Sequence, residues 1–209
     1  SPICLNPSPA TIDTSQYLIK RAMDVSLSII ILLLFLPIIL TLGLIIKLTD
    51  GGPIIFSQLR HGKNAKPFNM LKFRSMEADF HQKFSPVKGD DLRVTSIGKI
   101  MRKASLDELP QLFNILKGDM SIVGPRPHVA AETEYFSSQI LGFLRRHQVK
   151  PGLTGIAQLR SRDKTSSIID MEVKLRDDME YITEWSIYLD IKIIINTPIS
   201  MWKNRRTTL

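Results

Sequence analysis

Residues 25–46 carry no charge over 22 consecutive positions, and this run limits what the chain can fold into more than any other feature. At 1.5 Å per residue a straight helix of that length reaches about 33 Å, the depth of a bilayer core. A signal peptide is shorter and ends in a small-residue cleavage site that is missing after this run. A buried soluble helix would need apolar partners on every side. The segment is therefore read as meeting lipid. Pro37 falls near its middle, where proline removes the bond to the Leu33 carbonyl and favours a bend. Lys20 and Arg21 precede the run and Lys47 follows it, so the flanking charge sets no orientation. Two geometries accommodate all of this. One is a helical hairpin that enters one leaflet, bends near Pro37 and returns; the other is a kinked helix that crosses.

Beyond Lys47 the chain reads as one mixed domain, helix-rich α/β with a few short strands and no large regular sheet. A turn at Asp50-Gly51-Gly52-Pro53 precedes a strand over 54–58. A basic turn over 60–64 leads to a second extended stretch over 67–74. Lys72 and Arg74 alternate with Leu71 and Phe73, which puts both cations on one strand face. Residues 75–91 read as a loop or short polar helix. The charge balance, 28 Lys+Arg against 20 Asp+Glu with pI near 9.7, points to phosphates, an anionic membrane surface or nucleic acid. A single cysteine, Cys4, excludes an internal disulfide and a Cys-rich metal site, and the four histidines have no zinc spacing.

Against this basic background stand two adjacent acids, Asp107 and Glu108. Ser105 and Glu108 have the spacing of a capping box, and Leu106, Leu109, Leu112, Phe113 and Leu116 follow at helical intervals. Acids at a helix start face unpaired N–H groups, a setting that also attracts phosphate, so this pair could serve as nucleophile and metal ligand. Alternatively they are ordinary first-turn acids worth about 0.3–1 kcal/mol each. Pro110 blurs the register, and Asp107 itself is a cap if the helix starts later. Gly124-Pro125-Arg126-Pro127 is a stiff turn that suits a guanidinium placed for bidentate phosphate binding, or a plain turn with an exposed arginine. Lys150-Pro151-Gly152-Leu153-Thr154-Gly155 is a second rigid turn, preceded by Arg145, Arg146 and His147. Neither matches a Walker A or dinucleotide fingerprint. Over 187–206 an apolar stretch with Tyr188, Trp202, Lys203, Arg205 and Arg206 reads either as an interfacial amphipathic segment or as a helix packed on the core.

The ordered set Lys20-Arg21 and Asp24, the apolar run with central proline, Gly52-Pro53-Ile54-Ile55-Phe56, Lys72-Phe73-Arg74-Ser75-Met76, Ser105-Leu106-Asp107-Glu108-Leu109-Pro110-Gln111, Gly124-Pro125-Arg126-Pro127 and Lys150-Pro151-Gly152-Leu153-Thr154-Gly155 resembles the bacterial sugar transferases. These are monotopic polyprenyl-phosphate hexose-1-phosphate transferases. The resemblance runs from Lys20 to the C-terminus. It implies a linker over 1–19 from a missing upstream region, a re-entrant membrane helix over 20–47 broken at Pro37, and a catalytic domain over 48–209. That domain would lie on the cytoplasmic face of the bacterial inner membrane. It further implies transfer of a sugar phosphate from a UDP-sugar to polyprenyl (undecaprenyl) phosphate in surface polysaccharide synthesis, with Asp107 as nucleophile. Asp107 and Glu108 would share Mg2+, and Lys72, Arg74, Arg102, Arg126 and Lys150 would hold phosphates around the Pro125 and Pro127 turn. Asp178 aligns with a family aspartate near the active site. The chain departs from many relatives at Leu36 before the central proline, at Arg160-Ser161 in place of Asn-Gly, and at Glu184. Two other classes are weighed: a non-catalytic adaptor held on anionic lipid, and a nucleic-acid binder. The second lacks interleaved basic and aromatic residues and leaves the apolar run unexplained, so nucleic acid is not expected as a partner. A homo-oligomer is compatible with the sequence.

Overall fold

The computed structural model describes residues 13–77, 93–160 and 167–206. Most of the expected linker over 1–19 and most of the loop expected over 75–91 lie outside the described residues, as do the side chains of Trp202, Lys203, Arg205 and Arg206. The apolar run forms the middle of one long helix, α1 (Thr14–Asp50), which is closed by Gly51 in the left-handed region at φ 71°. The helix runs through Pro37, where the resemblance implied a break. Thr41 Oγ1 donates to the Pro37 carbonyl at 2.8 Å, one turn past the position where proline's own bond is missing.

One face of α1 rests on the globular domain along both of its halves. Asp24 and Ser28 are buried, and Leu27, Ile31 and Leu32 pack on the main core. Past Pro37, Leu42 and Ile46 are buried against Phe73 and Met101, and Ile39 packs there too. The other face leaves Ile30, Leu33, Leu34, Leu40, Leu44 and Leu48 exposed. Among the described residues α1 is the one helix long and apolar enough to cross a membrane.

The domain that follows is built of short pieces. Strands β1 (Ile55–His61) and β2 (Pro67–Phe73) pair antiparallel from Ile55↔Phe73 to His61↔Pro67 around a 3-10 turn, Lys63–Ala65. Strand β1 outruns the expected 54–58, so Arg60 and His61 belong to a strand and not to a basic turn. Helix α2 (Ser96–Ala104) is capped by Thr95, whose hydroxyl accepts from the Gly98 N–H at 3.0 Å. A 3-10 turn, Leu106–Glu108, leads to α3 (Gln111–Lys117). Next come β3 (Ser121–Val123), α4 (Ala130–Gln139), a 3-10 stretch over Phe143–Gln148 and β4 (Gly152–Thr154), which pairs parallel with β3. Helices α5 (Ile156–Arg160), α6 (Ile168–Thr183) and α7 (Ile187–Arg206) complete the chain.

The main core gathers Phe68, Met70, Leu112, Ile115, Met120, Val123, Ile156, Tyr181, Trp185 and Ile193 from β2, α3, β3, α5, α6, α7 and the connections between them. Helix α7 buries Asp190 and Ile193 inward and exposes Tyr188, Ile191, Ile195 and Ile199 outward, so core packing and an apolar outer stripe occupy different faces.

Candidate functional site

The two acids are not at a capped helix start. Ser105 sits at φ 55° and forms the left-handed end of α2, with no side-chain cap bond, which overturns the expected capping box. Helix α3 starts only after Pro110, which fits the ring's tolerance for a first turn and its missing N–H. Asp107 and Glu108 thus project from a 3-10 turn wedged between two helices. Phe113, one of the apolar residues at helical intervals, is exposed.

Strand β2 brings Lys72 to this turn. Its ammonium lies 2.8 Å from Glu108 Oε1 and 4.0 Å from Asp107 Oδ2. From the opposite side Arg126 donates through Nη2 to the same Glu108 oxygen at 2.8 Å. Glu108 is therefore clamped between two cations on one oxygen, while the Asp107 carboxylate keeps Lys72 beyond hydrogen-bond reach. The electrostatics diverge accordingly. Burial would raise the Glu108 carboxyl, but Arg126 and Lys72 override it and hold the group at about 2. Burial raises the Asp107 carboxyl above its ordinary range; Lys72 and Arg102 oppose that rise and the Glu108 charge adds to it.

Sequence reading missed the residue that fixes β2. Asn114, a polar side chain among the apolar positions of α3, accepts from the Leu71 N–H at 2.9 Å and donates to the Asn69 carbonyl at 2.8 Å. It bonds the strand on either side of Met70, next to Lys72. A buried asparagine on an apolar helix is the one signal that could have exposed this.

The Pro-Arg-Pro turn is held by backbone contact. The Gly124 N–H donates to the Thr154 carbonyl and the Gly152 N–H to the Pro125 carbonyl, both at 2.9 Å. A Cβ at Gly152 would lie 2.1 Å from the Gly124 nitrogen, and one at Gly155 would lie 2.4 Å from the Gly124 oxygen. The glycines of the two motifs are thus explained together: three of them meet where no side chain fits. Arg60 donates to the Pro127 carbonyl at 3.1 Å and Arg146 to the Arg126 carbonyl at 2.8 Å. Arg146 also pairs with Asp178 at 2.8 Å, with both side chains buried. A small cleft beside the turn is lined by His61, Pro125, Arg126, Pro127, Arg146 and His147, together with Val149 and Pro151. Burial and the adjacent Arg146 push the His147 imidazole down to about 4, so it is neutral at physiological pH.

Of the residues singled out in sequence, the structure brings Asp107, Glu108, Lys72 and Arg126 together, with Pro125 and Pro127 framing the last. Arg102 stands behind Asp107 and donates to Ser75 Oγ at 2.8 Å. Three others lie elsewhere. Arg74 follows the end of β2, where strand alternation no longer applies, and it is buried with Nη2 3.5 Å from the Ile46 carbonyl. Lys150 extends over the Tyr17 ring at 5.9 Å, at the start of α1. Asp178 lies behind the Arg126 backbone, where it pairs with the Arg146 that donates to the Arg126 carbonyl. Among the described residues, no cluster of three or more His, Cys, Asp or Glu forms a metal cage. Asp107 and Glu108 are the paired oxygen donors, and Glu108 Oε1 is the oxygen already taken by cations.

Known proteins resemble this chain over most of its length. The chain is 45% identical over 190 residues to a UDP-glucose:undecaprenyl-phosphate glucose-1-phosphate transferase of Escherichia coli (strain K12), covering 90% of this chain and 41% of that protein. It is 44% identical over 185 residues to a protein of the same name from Caulobacter vibrioides, covering 87% of this chain and 69% of the relative. An Aeromonas hydrophila UDP-N-acetylgalactosamine-undecaprenyl-phosphate N-acetylgalactosaminephosphotransferase is 41% identical over 180 residues, which are 86% of this chain and 42% of that protein. The chain therefore spans about two fifths of the E. coli and Aeromonas relatives. The model of the bacterial sugar transferase family matches residues 15–204, and this chain belongs to that family.

Proposed function

We propose that the chain carries the catalytic unit of a phosphoglycosyl transferase that moves a sugar phosphate from a UDP-sugar to undecaprenyl phosphate. The observation that carries the reading is the split between the two acids. Glu108 is tied by Lys72 and Arg126, while Asp107 is buried beside them and kept 4.0 Å from the ammonium. An Asp107 oxygen attacks the β-phosphorus of the donor. The bond from that phosphorus to the bridging oxygen breaks, and its electron pair leaves with UMP. The sugar phosphate is then an acyl phosphate on Asp107. A phosphate oxygen of undecaprenyl phosphate attacks the same phosphorus, and the Asp107–phosphorus bond breaks. The carboxylate is regenerated and undecaprenyl-diphosphate sugar departs. A carboxylate nucleophile divides one displacement into two, and Lys72 and Arg126 lie where phosphoryl charge develops. Magnesium fits the donor set, since it takes one or two carboxylates plus phosphate oxygens. Asp107 and the remaining Glu108 oxygen would hold it, and when bound it neutralises diphosphate charge.

Helix α1 suits an acceptor whose tail cannot leave the lipid. Both of its halves touch one domain, which favours a seat in a single leaflet, since a crossing helix would carry one half to the far side. The catalytic domain is then at the cytoplasmic face, where nucleotide sugars are made. The test is UMP release from UDP-glucose and UDP-N-acetylgalactosamine with magnesium and undecaprenyl phosphate. Release should be lost in Asp107→Asn, and radiolabel from the sugar should remain on the protein when the acceptor is withheld. Parent-level turnover by Asp107→Asn would refute the covalent route. No turnover with any donor in protein seated in bilayers would favour an adaptor.

A further inference from the structure

The first turns of α1 carry three charged residues, and their contacts are not those of a membrane anchor. Asp24 Oδ1 accepts from the Ser121 hydroxyl at 3.0 Å and from the Ile122 N–H at 2.9 Å, both on β3. One turn earlier, Lys20 Nζ reaches Asp190 Oδ2 at 2.6 Å, the Tyr181 hydroxyl at 3.2 Å and the Val123 carbonyl at 3.3 Å. The Tyr181 hydroxyl stands 3.0 Å from that carbonyl and 2.8 Å from Asp190 Oδ1, so its single proton serves one of them at a time. Arg21 takes the other direction. Its two terminal nitrogens donate to the Ile115 and Leu116 carbonyls at 2.6 and 2.7 Å, within the last turn of α3.

These contacts divide between the two supports of the site. Strand β3 runs directly into Gly124-Pro125-Arg126, and α3 follows directly from the turn that holds Asp107 and Glu108. Lys20 and Asp24 grip the first support, and Arg21 grips the second. Buried or half-buried charges at the start of a helix carry a desolvation penalty that apolar residues would avoid, so stability alone does not account for them. We infer that Lys20, Arg21 and Asp24 are positioning residues that hold the Arg126 turn and the Asp107–Glu108 turn at a fixed spacing against the lipid-facing helix. This inference rests on the proposed transfer reaction.

The experiment uses the full chain in lipid vesicles with UDP-glucose, magnesium and undecaprenyl phosphate, and reads UMP release. Arg21→Met removes bonds to carbonyls only and leaves no buried acid unpaired, so its melting temperature should stay near the parent's. The combined Lys20→Met and Asp190→Asn protein removes both members of the buried pair together. Each should lower kcat/KM at least tenfold. In an Arg126→Ala background the same changes should lower the residual kcat/KM less than threefold, because the spacing they hold no longer matters. A general loss of structure would cost the same factor in both backgrounds. Equal losses, or no loss in the parent background, overturn the inference. An Arg126→Ala protein as active as the parent overturns the reading of the site, and the inference with it.

Discussion

Replacing Glu108 by glutamine tests the electrostatic clamp directly, because it keeps the side chain's shape and removes the charge shared by Lys72 and Arg126. The folded carboxyl is held at about 2 against an ordinary 4.5. A difference of that size corresponds to about 3 kcal/mol at most. Arg126 is half-exposed, so solvent screening reduces the observable contribution to about 1–2 kcal/mol. The sign follows from the depressed value: the stabilisation is present in full above about pH 4.5 and is lost as pH falls toward 2.

Other groups also titrate in acid. His147, held at about 4 from 6.5, costs stability as pH falls below 6.5, whereas Asp178, raised to about 6 by burial, works in the opposite direction. Both are common to the two proteins and cancel in the difference. Denaturant unfolding of detergent-solubilised parent and Glu108→Gln, followed by tryptophan fluorescence at pH 7, 5 and 3, therefore isolates one carboxylate. The gap between the two proteins should be about 1–2 kcal/mol at pH 7 and should shrink markedly by pH 3. Parallel pH dependences would refute the claim that Glu108 is the acid the two cations hold.

Gly152→Ala should destabilise the fold by at least about 2 kcal/mol and abolish UMP release, because its Cβ would lie 2.1 Å from the Gly124 nitrogen; thermal melting and turnover check this together. Lys150→Met should leave UMP release within about twofold of the parent, an outcome that the phosphate role read from sequence does not allow. Asn114→Ala leaves the Leu71 N–H and the Asn69 carbonyl unpaired; about 1–3 kcal/mol should be lost, with reduced kcat as Lys72 loosens.

The acidic pair, Lys72 and the Pro-Arg-Pro turn were legible because each is a dense local pattern of charge or backbone restriction. What the sequence hid depends on tertiary contact. Lys72 and Arg74 look equivalent by alternation, yet β2 stops at Phe73 and only the first reaches the acids. Lys150 sits in a motif whose conspicuous cation extends over the Tyr17 ring at the start of α1. The glycines around it matter because a second glycine loop packs against them, and nothing local announces that pairing. Lys20 and Arg21 read as membrane-flanking charges and Asp24 only as part of a family motif, since only the fold shows β3 and α3 arriving beside them. The capping box failed for a local reason: Ser105 is already committed to closing α2, and one residue cannot cap the helices on both sides.

Two neighbouring carboxylates repel and so titrate apart, but which of them stays ionised needs a cause. The 3-10 turn supplies it by pointing adjacent side chains in different directions, one into the Lys72–Arg126 clamp and the other into a buried site at the edge of that clamp. Glu108 absorbs the cationic field and stays ionised. Asp107 is stripped of water without being tied down, which raises its carboxyl and on the proposed route would leave its oxygens available to phosphorus. On the proposed route an incoming diphosphate would compete for Lys72 and Arg126, and each charge it drew toward itself would loosen the clamp on Glu108 and free oxygen for a cation. On this route the ground-state ion pairs hold the phosphate-binding cations in position until the substrate takes them over. The adjacency of the two acids would serve that route, because the glutamate that holds both cations also keeps Lys72 4.0 Å from the Asp107 carboxylate.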